Sequence, residues 1–252
     1  MLELNKLYNM DCMKGLKEIP DKFFDLAVVD PPYGGGCSQF SNVERERERE
    51  NELQGGHADF ETRSRSRFGG RFDKYHISNE NGRNVGEALP AGTTQAEDIR
   101  HWDIAPPKEY FNELARVSKN QIIWGGNYFD LPPTRCFLIW RKLTISENFS
   151  MAMCEYAWTS FNDNAKVFEF APQGNKEIRF HPTQKPIELY YWILNRYSKE
   201  GDKILDTHAG SASSLIACHD MHRDFMGFEI DKTYYEKATE RMEKHFSQQS
   251  LF

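Results

Sequence analysis

The sequence predicts an α/β fold around a mostly parallel, doubly wound sheet, and three observations carry that prediction. Short apolar runs alternate with stretches of helical spacing through the second half of the chain. Phe24–Val29 is a compact apolar run stopped by Pro31-Pro32, as a buried parallel strand ends when it opens into a loop. Asp206 to Ser213 is a run of small and polar residues between a strand-like and a helix-like segment, the place where such sheets bind ligands.

Taken in order, residues 4–8 are predicted as a strand and 13–19 as a helix that stops at Pro20-Asp21. Phe24–Val29 is the next strand. Residues 34–100 break the rhythm: they are rich in Gly, Ser, Asn, Arg and Glu and poor in apolar periodicity. They read as an insertion, mobile in part, within one domain spanning 1–252. Periodicity resumes with a helix over 107–117, a strand over 121–124 and a turn at Gly125-Gly126-Asn127. Strands follow at 137–140 and 155–159. A helix over 186–197 has Pro at its first position, with Ile187, Tyr190, Ile193, Leu194 and Tyr197 along one side. Lys203–Asp206 is a strand, 213–221 a helix, Asp224–Glu229 a strand and 234–245 a last helix.

Bulk properties narrow the function classes. A net charge of −6 rules out a polycation, so any nucleic-acid surface must be a local basic patch on an acidic body. The 5 cysteines are odd in number, scattered and without a Cys-x-x-Cys pair, which fits reduced thiols in a cytoplasm better than disulfides or zinc. Cys218, His219 and His222 lack a fourth ligand at useful spacing, so no metal is expected. No apolar run approaches the length of a membrane span, and the N-terminus has no leader pattern, so no membrane partner is expected.

Three segments carry chemistry. In Asp30-Pro31-Pro32-Tyr33 the prolines stiffen the backbone after the strand and remove two amide donors. The Asp30 carboxylate and the Pro31 carbonyl remain as acceptors, which is what an exocyclic amine with two hydrogens requires. Tyr33 adds a flat face for a base to stack on, a contact of roughly 1–3 kcal/mol. Taken alone, the tetrapeptide equally fits a surface turn after a strand. The second segment, Asp206-Thr207-His208-Ala209-Gly210-Ser211-Ala212-Ser213, has Glu229 ending the next strand. Small residues admit a ligand to the backbone and a strand-end carboxylate can take ribose hydroxyls, although a dinucleotide would be served as well. His208 in such a loop is more often a packed neighbour than an acid or base. The third segment, His181-Pro182-Thr183-Gln184-Lys185-Pro186, leads into a helix. Exposed amides there, with Thr183 and Lys185 beside them, form a cradle for a carboxylate; an ordinary helix start is the alternative.

Together and in this order, the segments resemble motifs IV, I and X of the amino-methyltransferases that modify adenine N6 or cytosine N4 in DNA. The order, with the catalytic tetrapeptide first and the cofactor loop near the C-terminus, resembles the permuted β class. The resemblance implies a Rossmann-like class I methyltransferase fold with circularly permuted motifs, and S-adenosylmethionine as cofactor. It implies that Asp30 and Pro31 hold the target amine and that Pro32 and Tyr33 complete the catalytic segment, Tyr33 stacking on a flipped base. Asp206, His208, Ala209, Gly210 and Ser211 would line the methionine part of the cofactor, close to Asp30, with Thr183 and Lys185 near its carboxylate. Glu229 would bind the ribose, Ile230 would pack on the adenine, and Asp11-Cys12 would flank its other edge. An Asp at the first position of the tetrapeptide resembles the adenine-N6 members, whereas cytosine-N4 members more often carry Ser. Relatives are often dimers, so a homodimer is implied; no feature of the sequence names a restriction endonuclease partner.

Two positions depart from the family pattern. Ala212 stands where a Gly is usual, and Ala disfavours positive φ, which predicts a weaker hold on the cofactor. His208 stands where an aromatic is common, which puts its cofactor contact in question.

The insertion carries the expected DNA contact. Arg63, Arg65, Arg67, Arg71 and Lys74 are interleaved with Phe68, Phe72 and Tyr75, a pattern that can neutralise phosphates and stack on bases. Between Thr159 and His181 the usual target-recognition region is short, so sequence selection is either slight or lodged in the insertion. The expected activity is site-specific, adenine-directed DNA methylation. The alternatives are a cytosine-N4 enzyme, a catalytically inactive DNA-binding homologue, or an enzyme acting on RNA or a protein amide.

Overall fold

The computed structural model describes residues 2–34, 104–145, 152–172 and 179–249. They fall into two compact units, Met1–Pro31 with Pro106–Phe252, and Pro32–Ala105. Of the second unit only 32–34 and 104–105 are described, and Gly34 there takes φ 77° with the backbone of Ala105 against it.

In the first unit the elements run β1 (Lys6–Asn9), α1 (Cys12–Leu16), β2 (Phe24–Val29), α2 (Lys108–Val117), β3 (Ser118–Trp124), β4 (Phe137–Lys142) and β5 (Cys154–Thr159). They continue as β6 (Lys166–Phe170), α3 (Ile187–Tyr197), β7 (Lys203–Asp206), α4 (Ser213–Asp220), β8 (Asp224–Glu229) and α5 (Lys232–Gln249). The strands form one 8-stranded sheet in the order β1-β8-β7-β2-β3-β5-β4-β6. Only the β3–β5 and β4–β5 pairs are antiparallel; the others are parallel. The α/β, mostly parallel and doubly wound architecture is therefore present.

Alternation along the strands builds two cores. Leu26, Val28, Ile122 and Trp124 face α3 and α4, where Ile187, Leu189, Ile193 and Leu215 complete one cluster. Ala27, Val29 and Ile123 face the other way and pack with Leu16, Tyr110, Leu114 and Phe228. Helices on both faces demand successive buried residues, and Leu26 to Val29 supply them; Asp25, near the start of the strand, is half-buried and paired with Lys119.

Several boundaries differ from expectation for local reasons. Helix α1 begins at Cys12 because Asp11 caps it, its carboxylate accepting from the Met13 amide at 2.9 Å. Helix α3 starts after Pro186, which sits at the cap position with extended backbone. Helix α5 starts at Lys232, earlier than the predicted 234, because Asp231 accepts from the Tyr234 amide at 2.9 Å. Strand β6 was not expected at all. It lies at the sheet edge beside β4, within the stretch read as target recognition, and its side chains alternate between exposed and half-buried.

Candidate active site

Parallel strands share one carboxyl edge, and the register of this sheet places β1, β8, β7, β2 and β3 side by side there. Along it stand Asp11, Glu229, Asp206, Asp30 and Trp124. The first two motifs thus meet because β2 and β7 are hydrogen-bonded neighbours, Ala27 opposite Leu205, although their residues are far apart in sequence.

The loop after β7 is tightly tied. The Asp206 carboxylate accepts from the His208 amide at 3.0 Å and from the Ser214 hydroxyl, joining the start of the loop to α4. Glu229 accepts from the Gly210 amide at 2.9 Å and from the Asp231 amide at 2.8 Å. Arg241 donates to the Ser211 carbonyl at 2.7 Å, bracing the loop from α5. Gly210 takes φ 52°, and a Cβ there would meet the His181 ring at 3.1 Å, so the third motif lies over the second. Ala212 takes φ 60° at the cap of α4, the left-handed backbone that favours Gly.

Burial of charge is the main electrostatic fact of this edge. Burial, reinforced by the neighbouring Asp30 and Glu229 carboxylates, pushes Asp206 up to about 7. Burial likewise raises Glu229, against the two amides that favour its charged form. His208 and His181 are lowered to about 4, both chiefly by burial and the latter also by Lys185, so both imidazoles are neutral at physiological pH. His208 bonds Thr207 at 3.0 Å and meets Tyr110 edge-on at 5.4 Å, the packed-neighbour arrangement.

Asp206 yields a pH prediction. An unfolded chain releases this proton near the ordinary Asp value of about 3.9, whereas the folded chain holds it to about 7. Between those limits the folded state binds more protons, so stability falls as pH rises and the penalty is complete above pH 7. Asp206→Asn removes the penalty. The variant's stability advantage should grow between pH 5 and 8 by on the order of 1–3 kcal/mol, discounted from the full shift for relaxation. Thermal melts of both proteins across that range check it; a constant gap refutes it.

Lys185 differs most from expectation. It does not stand free in a cradle of exposed amides: it is 4% exposed, and its ammonium contacts the Asp30 carboxylate and lies 3.2 Å from Glu155. Burial alone would discharge it, but Asp30 and Glu155 hold it charged, above the ordinary lysine range. Glu155 in turn binds Lys142 at 2.5 Å through its other oxygen. Burial pushes the Glu155 carboxyl up, yet the two lysines together hold it below the usual range. Thr183 is exposed, its hydroxyl 3.2 Å from His181 Nδ1. Glu155 and Lys142 belong to no contiguous motif and were not among the residues expected at the site. Strand β5 runs antiparallel to β3, so its beginning lies at this edge, and a carboxylate near the start of a strand that buries Ala157 and Thr159 is the signal the sequence offers.

The remaining predicted residues are placed as follows. Pro31 is buried, and Pro32 and Tyr33 begin the second unit. Asp11 serves as the α1 cap, and burial raises the Cys12 thiol to about 12. Ile230 is 66% exposed beside Glu229, while Asn9 fixes that turn by donating to the Glu229 carbonyl at 2.9 Å. Arg63, Arg65, Arg67, Arg71 and Lys74 lie outside the described residues. Among the described residues no cluster of three or more His, Cys, Asp or Glu could hold a metal ion, and no helix is long and apolar enough to cross a membrane.

Comparison with known proteins agrees with this architecture. The sequence profile of the N6/N4 family, described as DNA methylase, matches residues 119–240. The chain is 40% identical over 84 residues to the Type II methyltransferase M.HpaI of Haemophilus parainfluenzae, covering 33% of this chain and 27% of that one. It therefore spans only about a quarter of that relative's length. Against the Type II methyltransferase M.BglII of Bacillus subtilis identity is 26% over 263 residues, covering 93% and 68%. A solved structure described as the PvuII DNA methyltransferase, cytosine-N4-specific, superposes with a TM-score of 0.53 at 11% identity, covering 96% and 91%. The fold is that of the class I methyltransferases. Over residues 119–240 the chain is thus similar to the N6/N4 DNA methylases.

Proposed function

We propose that this chain is a DNA adenine-N6 methyltransferase that uses S-adenosylmethionine. The observation that carries the reading is the adjacency of Asp30, Asp206 and Glu229 at the ends of three neighbouring parallel strands, with Pro31-Pro32-Tyr33 directly after Asp30. The strand order supports a permuted arrangement. Strand β2, which bears the tetrapeptide, pairs with β7, which bears the cofactor loop, although the tetrapeptide comes first in the chain.

The residues present fit the cofactor. The loop after β7 is built of small residues, Glu229 supplies acceptors at a strand end, and Ile230 offers an exposed apolar face beside it. Asp206, His208, Ala209, Gly210 and Ser211 would hold the methionine part, with Glu229 at the ribose and Asp11, Cys12 and Ile230 around the adenine. Bound S-adenosylmethionine supplies an electrophilic methyl on a sulfonium.

Asp30 and the Pro31 carbonyl accept the two hydrogens of the target amine, favouring a pyramidal nitrogen whose lone pair leaves conjugation with the ring. A carboxylate has lone pairs enough to do this while held by Lys185. Asp30 or water would take the proton that the amine sheds on methylation. The base must be flipped out of the duplex to reach this edge, and Tyr33 is its stacking face. The five basic residues from Arg63 to Lys74 are proposed as the phosphate contact, and a homodimer and a cytoplasmic location go with this reading.

Adenine rather than cytosine rests on Asp30 at the first tetrapeptide position, since either base presents an amine and the PvuII likeness is one of fold. The test is expression in a methylation-free host with direct sequencing of modified bases. N6-methyladenine at a repeated site supports the proposal; N4-methylcytosine overturns the choice of base, and unmodified DNA from well-expressed protein overturns the activity.

A further inference from the structure

Four charged side chains from four parts of the fold form one alternating row. Asp30 follows β2, Lys185 precedes α3, Glu155 is the second residue of β5 and Lys142 ends β4. The row is negative, positive, negative, positive, and sums to zero. Its two lysine side chains are 3% and 8% exposed, a costly placement for ammonium groups unless each is paired. Glu155 uses its two oxygens on different lysines, Oε1 toward Lys142 at 2.5 Å and Oε2 toward Lys185 at 3.2 Å. The ammonium groups also sit near tryptophan rings, Lys142 at 5.2 Å from the Trp140 centroid and Lys185 at 5.3 Å from that of Trp124.

A lysine is a point charge on a flexible stem, so one carboxylate alone leaves its ammonium free to swing. A second carboxylate, itself pinned from behind, removes that freedom. We infer that Glu155 is a positioning residue: anchored by Lys142, it acts through Lys185 to hold Asp30 in one orientation toward the target amine. This rests on the proposed methyl transfer, in which Asp30 must accept hydrogen bonds and must not drift. Misplacement by about 1 Å far from the chemistry can cost on the order of 100-fold in rate.

The test uses Glu155→Gln and the double variant Glu155→Gln with Lys142→Met in the full chain. Melting temperature, S-adenosylmethionine affinity, and kcat and KM on unmethylated DNA are measured for each. Glu155→Gln should lower kcat by roughly 10- to 100-fold, with KM and cofactor affinity within about twofold. The double variant, which no longer strands Lys142, should regain melting temperature but not kcat. Unchanged kcat in the single variant overturns the inference, as does kcat that recovers together with stability, or a loss confined to cofactor affinity. A crystal structure of Glu155→Gln gives an arm independent of turnover: the Lys185 ammonium should leave Asp30 or become disordered, and an unmoved contact overturns the inference. Should the wild-type chain transfer no methyl group to DNA, the functional reading falls by itself and the crystallographic arm alone judges the row.

Discussion

Replacing Asp30 with Ala is expected to lower methyl transfer by at least roughly 1,000-fold, the scale on which a positioned acid–base or hydrogen-bonding group contributes. On the proposed reading, the substitution removes one of the two acceptors for the amine and leaves only the Pro31 carbonyl. It also takes from Lys185 one of its two carboxylate partners, so some stability is lost with activity. Asp30→Asn separates the two effects. Its amide keeps the shape and one carbonyl oxygen but turns an NH2 toward one of its neighbours, so activity should still collapse while the fold is disturbed less. Labelled-methyl transfer to unmethylated DNA measures both variants. Transfer persisting in Asp30→Ala would remove Asp30 from the chemistry.

The second large effect is on stability. Lys185→Met should cost roughly 3–5 kcal/mol, the usual result of removing one partner from a buried ion pair. For a chain of this size that is a fall of about 10 °C in melting temperature. Methionine fills most of the volume of the lysine stem, so the loss is not one of packing. It arises because Asp30 and Glu155 are left facing one another with the intervening cation gone. The contrast is Lys232, which meets Glu236 at 3.7 Å with 79% of its side chain exposed. Lys232→Met should lie within about 0.5 kcal/mol of wild type. Denaturant unfolding of the two variants at pH 7 gives the comparison, and equal effects would refute the role assigned to burial.

Much of the scaffold was legible because it rests on local rules. A strand buried on both faces shows as a short apolar stretch with its charged residues at or near its ends, and Phe24–Val29, Lys203–Asp206 and Asp224–Glu229 were readable to the residue. Helix starts were less so, since Asp11 and Asp231 set them through single side-chain bonds that periodicity does not register. Edge strand β6 eluded the reading because its alternation is only between exposed and half-buried positions. In the proposed site, the tetrapeptide and the loop stand out in the sequence because each is contiguous. The Asp30–Lys185–Glu155–Lys142 row could not, since it exists only after β2, β4, β5 and the residues before α3 are brought to one edge. That is why Lys185 was expected beside a ligand carboxylate and is found on the protein's own.

Ala212 returns with a different meaning. Its methyl group was expected to loosen the hold on a ligand, and the residue sits at φ 60° at the cap of α4. Left-handed backbone costs an L-residue roughly 1–2 kcal/mol, and here that cost falls on folding. In exchange, the methyl group narrows what the unfolded chain can sample and stiffens the turn that Gly would leave free. Binding at Asp206–Ala212 then has less disorder to remove. The same substitution that taxes the stability of the chain is thus a form of preorganisation for whatever the loop receives.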